Sequence, residues 1–136
     1  MNYYNTKSGI LPGADYKRVY KNAWRVFSRI KKQTKRKPYI RSAYFDKEKV
    51  FFDYFWQHLM QKPPKERMRR LRFFKAAIEL IHNIRTKPNT ILIRSQKNIR
   101  LHRFTGQTKS GEIFFVQIKE HIVKKSKQFM SVFPEK

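Results

Sequence analysis

Three side chains of this sequence, His102, Lys119 and Arg100, have the chemistry needed to transfer a proton and to hold a phosphate group. Histidine is the side chain best suited to proton transfer near neutral pH, and lysine and arginine supply fixed positive charge. Cleavage of RNA without a metal needs this combination. The ribose 2'-hydroxyl must lose a proton, cations must stabilise the phosphoryl oxygens, and the leaving 5'-oxygen must gain a proton. Metal-free RNA cleavage is therefore one chemistry that these residue types allow.

Strand-like alternation predicts which of these side chains share a face of a sheet. In the third predicted strand the apolar Phe114, Val116 and Ile118 alternate with polar residues and are expected to face a covering helix. By the same alternation, Arg103 and Met130 are expected on the covered face. The uncovered face is expected to collect Arg100, His102, Gln117, Lys119, His121 and Ser131, with Phe115 and Phe129 among them. Exposed rings can stack on bases, at about 1–3 kcal/mol per base, but any solvated antiparallel sheet carries similar polar residues.

Hydrophobic periodicity predicts helices in the first two thirds of the chain and strands in the last third. The predicted helices cover residues 15–32, 46–62 and 64–85, and Asp15 and Asp46 are the expected N-caps. The predicted strands cover residues 90–94, 99–105, 112–121 and 128–133. This order predicts an α+β fold: N-terminal helices precede a four-stranded antiparallel sheet, with the long amphipathic third helix packed on one face. We expect a basic, partly helical segment over residues 1–37 and a helix-plus-sheet domain over residues 38–136.

The composition favours a folded, basic protein with a polyanionic partner. The 136 residues include 33 Lys+Arg and only 9 Asp+Glu, a formal net charge of +24, and 15% of them are aromatic. Positive charge in this excess destabilises a compact chain through self-repulsion, and a basic domain of this kind commonly binds nucleic acid. The predicted nucleic-acid contacts are Arg41, Lys65, Arg69, Arg70, Arg72 and Lys97, together with Phe115 and Phe129.

Several functional classes are excluded by what the sequence lacks. It contains no cysteine, so a thiolate zinc site and a cysteine nucleophile are excluded. The four histidines have no metal-ligand spacing, and the four glycines fit no phosphate-binding loop. No run reaches the roughly 18 apolar residues of a membrane span, and the N-terminus lacks the apolar region of a signal peptide. We therefore expect a cytoplasmic protein with no metal, no cofactor and no membrane partner.

Short segments within residues 38–134 resemble the phage Barnase–EndoU–Colicin–RelE-like (BECR) nucleases of prophages and mobile elements. In the predicted sheet these segments are residues 101–106 (LHRFTG), 115–120 (FVQIKE) and 129–134 (FMSVFP). Upstream, residues 41–45 (RSAYF) and 55–59 (FWQHL) are similar to the helical part that precedes the sheet in that family. The resemblance implies a small metal-independent endoribonuclease with the BECR fold.

The resemblance also implies a biological role and a set of site residues. Proteins of this kind are toxins that cut tRNA, mRNA or rRNA, and an antitoxin or immunity protein holds them inactive. For this chain, that partner would be acidic. The catalytic residues implied by the matching segments are His102, Arg103, Gln117, Lys119 and Ser131, and Arg100, just before the first segment, is the alternative to Arg103. In that set His102 is the general acid or base, Lys119 with one arginine stabilises the phosphoryl charge, and Gln117 and Ser131 position the phosphate or a base.

Two interpretations of the function stay open at this point. The first is a metal-independent endoribonuclease of toxin type, which cleaves RNA by attack of the 2'-hydroxyl and leaves a cyclic phosphate. The alternative is a non-catalytic RNA- or DNA-binding module of a mobile element, whose affinity would fall steeply with salt. Binding to an acidic antitoxin-like protein is an addition to the first interpretation.

Overall fold

Four α-helices and a seven-stranded mixed sheet make up the computed structural model, which describes residues 3–93 and 95–135. The chain begins with β1 (Tyr3–Asn5), α1 (Tyr16–Gln33), β2 (Tyr39–Ser42) and β3 (Glu48–Phe51). Three helices follow: α2 (Asp53–Met60), α3 (Pro64–Leu71) and α4 (Phe74–Asn83). The last four strands are β4 (Asn89–Leu92), β5 (Ile99–Gln107), β6 (Ile113–His121) and β7 (Ser126–Pro134).

The sheet is built around a long antiparallel meander of β5, β6 and β7. Its strand order is β1-β5-β6-β7-β3-β2, and β4 pairs with β5 outside this path. The outer strands make the sheet mixed, because β1 pairs with β5 and β3 pairs with β7 in parallel. The sheet curls, so that α4 contacts both β5 and the distant edge strand β2. The sheet therefore forms a half-barrel, with the long strands β5, β6 and β7 at its centre and the short strands on either side of them.

The predicted architecture, a four-stranded antiparallel sheet under one long helix, is wrong, and with it the BECR-like fold that the resemblance implied. The class is α+β, but the sheet has seven strands in the described residues and is mixed. The predicted helix over residues 64–85 is two helices, because the chain turns at Arg72 and Phe73 between α3 and α4. The predicted strand 90–94 ends at Leu92 as β4, and Arg94 lies outside the described residues.

The predicted helix beginning at Asp46 is also wrong. Asp46 and Lys47 have φ values of 54° and 65°, the left-handed conformation of a tight turn rather than of a helix N-cap. This turn joins β2 to β3, and α2 begins only at Asp53. The turn folds back over the sheet, where Phe45 contacts His102 and Phe104 of β5.

The pairing register and one irregularity in β7 decide which side chains face the helices. Gln117 pairs with Ser131 and Ile118 pairs with Phe129, so Met130 is an extra residue in β7, a β-bulge. The bulge shifts the alternation of β7 by one residue, and Phe129 and Val132 therefore both face the helices. Phe129 stacks on Phe55 of α2, with ring centroids 4.5 Å apart and an interplanar angle of 16°.

The N-terminal residues belong to the same packed unit as the sheet. Asp15 caps α1 by accepting a hydrogen bond from the Arg18 backbone N–H (3.0 Å). The buried side of α1 enters one core with α2 and α4, where Phe27 contacts Phe52 and Phe74. Before α1, four groups donate to the Glu79 carboxylate: the Tyr4 hydroxyl, the Ser8 hydroxyl and the backbone N–H groups of Lys7 and Ser8. Burial alone would raise the pKa of Glu79, but these hydrogen bonds lower it.

We expect Gly106→Ala to destabilise the protein by about 1–3 kcal/mol, because an added methyl group overfills the core. A Cβ at Gly106 would lie 2.7 Å from Leu80 Cδ1 and would also meet the fully buried Phe114 ring. Gly9→Ala is the control, since nothing lies within 4 Å of a Cβ there. Urea unfolding of both variants checks this, and equal midpoints would contradict the packing at Gly106.

Candidate nucleic-acid interface

His102 lies on the helix-covered face of the sheet, so its predicted position on the uncovered face is wrong. Its partner across β5 and β6 is Ile118, and residues paired across strands point to the same face. His102 is 5% exposed, and Phe45 packs against its ring with centroids 5.0 Å apart. The prediction for Phe129 fails too, because the β7 bulge turns that ring into the core.

His102 is part of a buried polar network that joins five strands. Its Nδ1 lies 2.8 Å from the Thr90 hydroxyl and its Nε2 lies 2.8 Å from Glu120 Oε1. Lys127, 3% exposed, places its Nζ 3.6 Å from Glu120 Oε2 and 2.8 Å from Glu48 Oε1. Both ring nitrogens of His102 are thus occupied by protein partners. The network links β3, β4, β5, β6 and β7, and its geometry is that of a structural connection.

The charges of this network favour an ionised Glu120. Burial alone would raise the pKa of Glu120, but the hydrogen bond with His102 and the positive charges of Lys127 and Arg100 lower it. Arg100 lies beside Glu120 in the register and is itself exposed at the edge of the network. Arg100 therefore lies on the same face as His102, as predicted. That face is the covered one, so the predicted position of Arg100 on the uncovered face is wrong.

Most of the remaining predicted catalytic residues meet on the opposite, uncovered face. Arg103, Gln117 and Ser131 form one row across β5, β6 and β7, in register with one another. Arg103 was expected on the covered face, and that prediction is wrong, because the register places it opposite Gln117. The Ser131 hydroxyl is buried and donates to Gln117 Oε1 (3.1 Å), which leaves the Gln117 amide nitrogen as a donor.

Aromatic rings and cations flank this row. Phe115 and Phe133 are neighbours, with ring centroids 5.5 Å apart, and the Arg103 guanidinium lies 5.6 and 5.4 Å from them. Arg70 of α3 also lies over the Phe133 ring, 5.5 Å from its centroid. We call this surface the outer platform; its members are Arg103, Phe115, Gln117, Lys119, Ser131 and Phe133. It offers ring faces for stacking beside groups that bind phosphate.

Lys119 is held at the edge of the outer platform by α2. Its Nζ donates to the Tyr54 hydroxyl (3.1 Å) and lies 4.5 Å from the centroid of the Tyr54 ring. Because the Tyr54 oxygen accepts this bond, its own O–H proton is available to a ligand. The sequence does not indicate Tyr54 as a member of this surface, because it lies in a helix and helical spacing does not show that it reaches the sheet.

His121 also faces outward, two residues after Lys119 on β6. The Lys124 backbone N–H donates to its Nδ1 (3.1 Å), which leaves Nε2 as the ring nitrogen that can donate to a ligand. Residues two apart on a strand are separated by about 7 Å. A phosphate near Lys119 would thus be within reach of the Nε2–H donor. Alternation predicted this face for His121, but no role was assigned to it.

The other predicted nucleic-acid contacts are spread over the surface. Lys65 and Lys97 are exposed, and Arg41 is exposed while donating to the Lys47 carbonyl (2.9 Å). Arg69 and Arg70 both contact Glu66, at 3.1 and 3.0 Å. Arg72 is tied into the fold, since its guanidinium donates to the Leu11 and Gly13 carbonyls at 3.4 and 2.9 Å. Of these residues, Arg70 alone contacts the outer platform within the described chain.

Most of the carboxylates contact other residues of the fold, and none belongs to the outer platform. Seven of the nine make side-chain contacts with described residues: Asp15, Glu48, Asp53, Glu66, Glu79, Glu112 and Glu120. In the same part of the chain, the Lys and Arg side chains in ion pairs are Lys37, Arg69, Arg70 and Lys127. Most of the positive charge is therefore uncompensated and faces solvent.

None of the family models, characterised proteins or solved structures compared with this chain matches it, so the resemblance to the BECR nucleases stays a prediction. Within residues 3–93 and 95–135, no helix combines the length and apolar character needed to span a membrane. The same residues hold no group of three or more His, Asp or Glu side chains placed to bind a metal ion.

We expect Glu120→Gln to lower stability by about 1–3 kcal/mol at neutral pH, because it removes a charged hydrogen bond to a buried partner. The lowered pKa of Glu120 means that its contribution is full above the ordinary carboxyl value of 4.5 and is lost as the pH falls through the folded-state pKa. The difference in unfolding free energy between wild type and variant should therefore shrink on acidification. Glu135→Gln, at an exposed site, is the control; a pH-independent difference would show that Glu120 does not act through its charge.

Proposed function

We propose that this protein binds single-stranded RNA on its outer platform. The observation that carries the proposal is the row of Arg103, Gln117 and Ser131 across three adjacent strands, flanked by Phe115 and Phe133. Neighbouring strands lie about 5 Å apart, so the row extends for about 10 Å. That span accommodates a nucleotide, with its base on a ring and its phosphate on a cation.

The residue types of the outer platform favour a single strand over a duplex. A base can stack on an aromatic ring only when it is not enclosed in a helix of paired bases. The Arg103 guanidinium lies beside both rings, where it can bind a phosphate or stack on a base. Among the described residues the Gln117 amide nitrogen has no partner, so it can donate a hydrogen bond to the oxygen of a ribose 2'-hydroxyl, which supports RNA over DNA.

The net positive charge of the chain also supports the binding of RNA. A charge of +24 attracts any polyanion from a distance, and counterion release from the RNA favours binding at low salt. This attraction does not depend on sequence. Selectivity would come from the rings and the Gln117 amide on the outer platform.

We expect Arg103→Ala to weaken binding of a short oligouridylate and to reduce the slope of log affinity against log salt by about 0.7, the value for one phosphate contact on a single strand. Arg36→Ala is the matched control, because it removes the same charge from an exposed site in a depression that no outer-platform residue lines. Fluorescence anisotropy at several salt concentrations measures both. If the two variants bind alike, charge alone drives binding and the outer platform has no special part in it.

A second candidate function is metal-independent endoribonuclease activity at the same platform, supported by the Lys119–Tyr54 pair. The 2'-oxygen would attack the phosphorus and form a 2',3'-cyclic phosphate, while the bond to the 5'-oxygen breaks. The Tyr54 O–H would give its proton to that leaving oxygen, with the Lys119 ammonium stabilising the phenolate, and the 2'-hydroxyl proton would pass to solvent. Arg103 would stabilise the phosphoryl oxygens. An acidic antitoxin covering the platform would be the matching inhibitor.

If this second function is correct, the purified protein cleaves RNA in EDTA, and Tyr54→Phe lowers the rate by about 10²–10⁴-fold, the usual contribution of general acid catalysis. The variant retains the ring against Lys119, so folding and RNA affinity should be unchanged. A gel of total RNA and tRNA measures cleavage for wild type, Tyr54→Phe and His102→Ala. Loss of activity in EDTA rules out the metal-free mechanism. If Tyr54→Phe cleaves normally and folded His102→Ala does not, the proton is transferred by His102, as the resemblance implied.

A further inference from the structure

The exposed side of α1 is a basic surface that contributes no residue to the outer platform. The helix contains seven lysines and arginines and no acid: Lys17, Arg18, Lys21, Arg25, Arg29, Lys31 and Lys32. Four of them recur every fourth residue, from Lys17 to Arg29, so a positive charge is presented about every 6 Å along the helix. All seven are exposed. This surface therefore suits a ligand with regularly repeated negative charges.

Two aromatic rings lie within this row of cations. Tyr20 and Trp24 are stacked nearly parallel, with centroids 6.0 Å apart and an interplanar angle of 10°. Trp24 is 37% exposed, and Trp56 of α2 supports it from behind in an edge-on contact at 5.2 Å. The Lys31 ammonium lies 5.3 Å from the Trp24 ring centroid. A large indole is thus held rigidly at the surface among positive charges.

We propose that the exposed side of α1 is a second binding site for single-stranded nucleic acid, with Trp24 stacking on a base and the cations binding the phosphates. Tyr20, Trp24 and the surrounding cations line a shallow depression of about 760 Å³. Stacking on an aromatic ring is tolerant of base identity, so the site would bind many sequences.

The packing of α1 argues against a membrane as the ligand. A helix that lies in a lipid surface must insert its apolar side. In α1 that side, Val19, Ala23, Phe27 and Ile30, is buried in the core. An acidic peptide would satisfy the charges, but its carboxylates would make no use of the exposed part of the Trp24 ring.

The α1 site is separate from the outer platform. Phe27 of α1 contacts Phe52 and Phe74, which also pack against Phe129 on the covered face of the sheet. The core and the sheet therefore lie between the two surfaces. The α1 site stands whether or not the outer platform binds RNA, and the two can be tested independently.

Tryptophan fluorescence gives a direct test, because the chain has two tryptophans and Trp56→Phe leaves Trp24 as the sole emitter. Titration of this variant with a short oligouridylate should quench its fluorescence. On a wild-type background, Trp24→Ala should weaken binding about 5- to 150-fold, the effect of losing one stacked base. Absence of quenching at saturation would overturn the stacking proposal.

Charge variants keep the test valid even if Trp24→Ala fails to fold. Arg25→Gln with Arg29→Gln changes two exposed side chains and should reduce both the affinity and the salt slope. Lys47→Gln with Lys109→Gln, two exposed cations in the turns between β2 and β3 and between β5 and β6, is the matched control. Equal losses in the two double variants would show that net charge alone acts, which contradicts a site on α1.

Two competing ligands complete the test, polyglutamate and phosphatidylcholine–phosphatidylserine vesicles. We expect both to bind more weakly than the oligonucleotide and to leave Trp24 emission largely unchanged. Vesicles that shift Trp24 emission strongly to the blue would overturn the proposal in favour of a lipid surface. Polyglutamate that quenches Trp24 as well as the oligonucleotide does would overturn it in favour of an acidic protein. Outer-platform variants such as Arg103→Ala should leave the Trp24 signal intact, which separates this site from the proposed function.

Discussion

The register of β5, β6 and β7, with its single bulge at Met130, is the constraint on which both the core and the outer platform depend. Without the extra residue, strict alternation would put Phe129 on the same side as Ser131 and Phe133. The core would then lose the Phe129–Phe55 stack, and the outer face would carry one more apolar ring. With the bulge, Lys127, Phe129 and Val132 all face inward. One inserted residue thus supplies the buried lysine of the network and keeps Ser131 beside Gln117.

The distribution of the carboxylates explains how so basic a chain can remain folded. Two of the nine acids, Glu48 and Glu120, neutralise one buried lysine, and Glu79 anchors the N-terminal segment through hydrogen bonds. Removing the partners of a buried charge leaves it uncompensated, so Glu48 and Glu120 matter chiefly because Lys127 is buried. Few acids are left to pair with the exposed lysines and arginines, and the surface is therefore rich in cations. The contacts of these few acids within the fold and the excess of positive charge on the surface therefore have the same origin.

The parts of the fold that the sequence predicts are the long, strongly periodic ones. α1 and the strands β5, β6 and β7 lie close to their predicted positions, because each buries a regular series of apolar side chains. The strands β1, β2 and β3 are only three or four residues long, too short to show alternation, and their places depend on partners distant in sequence. The sequence does not distinguish the turn at Asp46 from a helix N-cap, because aspartate favours both turns and N-caps.

The candidate site was harder to predict than the fold, because alternation gives relative positions within one strand and not between strands. The sequence grouped Arg100, His102 and Phe104 correctly, but placed that group on the wrong face of the sheet. Two residues of this group's face indicate that it is the covered one. Phe104 is an apolar ring that is buried, and Gly106 lies where close packing leaves no room for a side chain. Because β5 turns the opposite side from the predicted one towards the helices, Arg103 and not His102 lies on the uncovered face. This exchange moves the histidine into a structural network and brings an arginine beside two rings, so the uncovered face carries a fixed positive charge where a group for proton transfer was predicted.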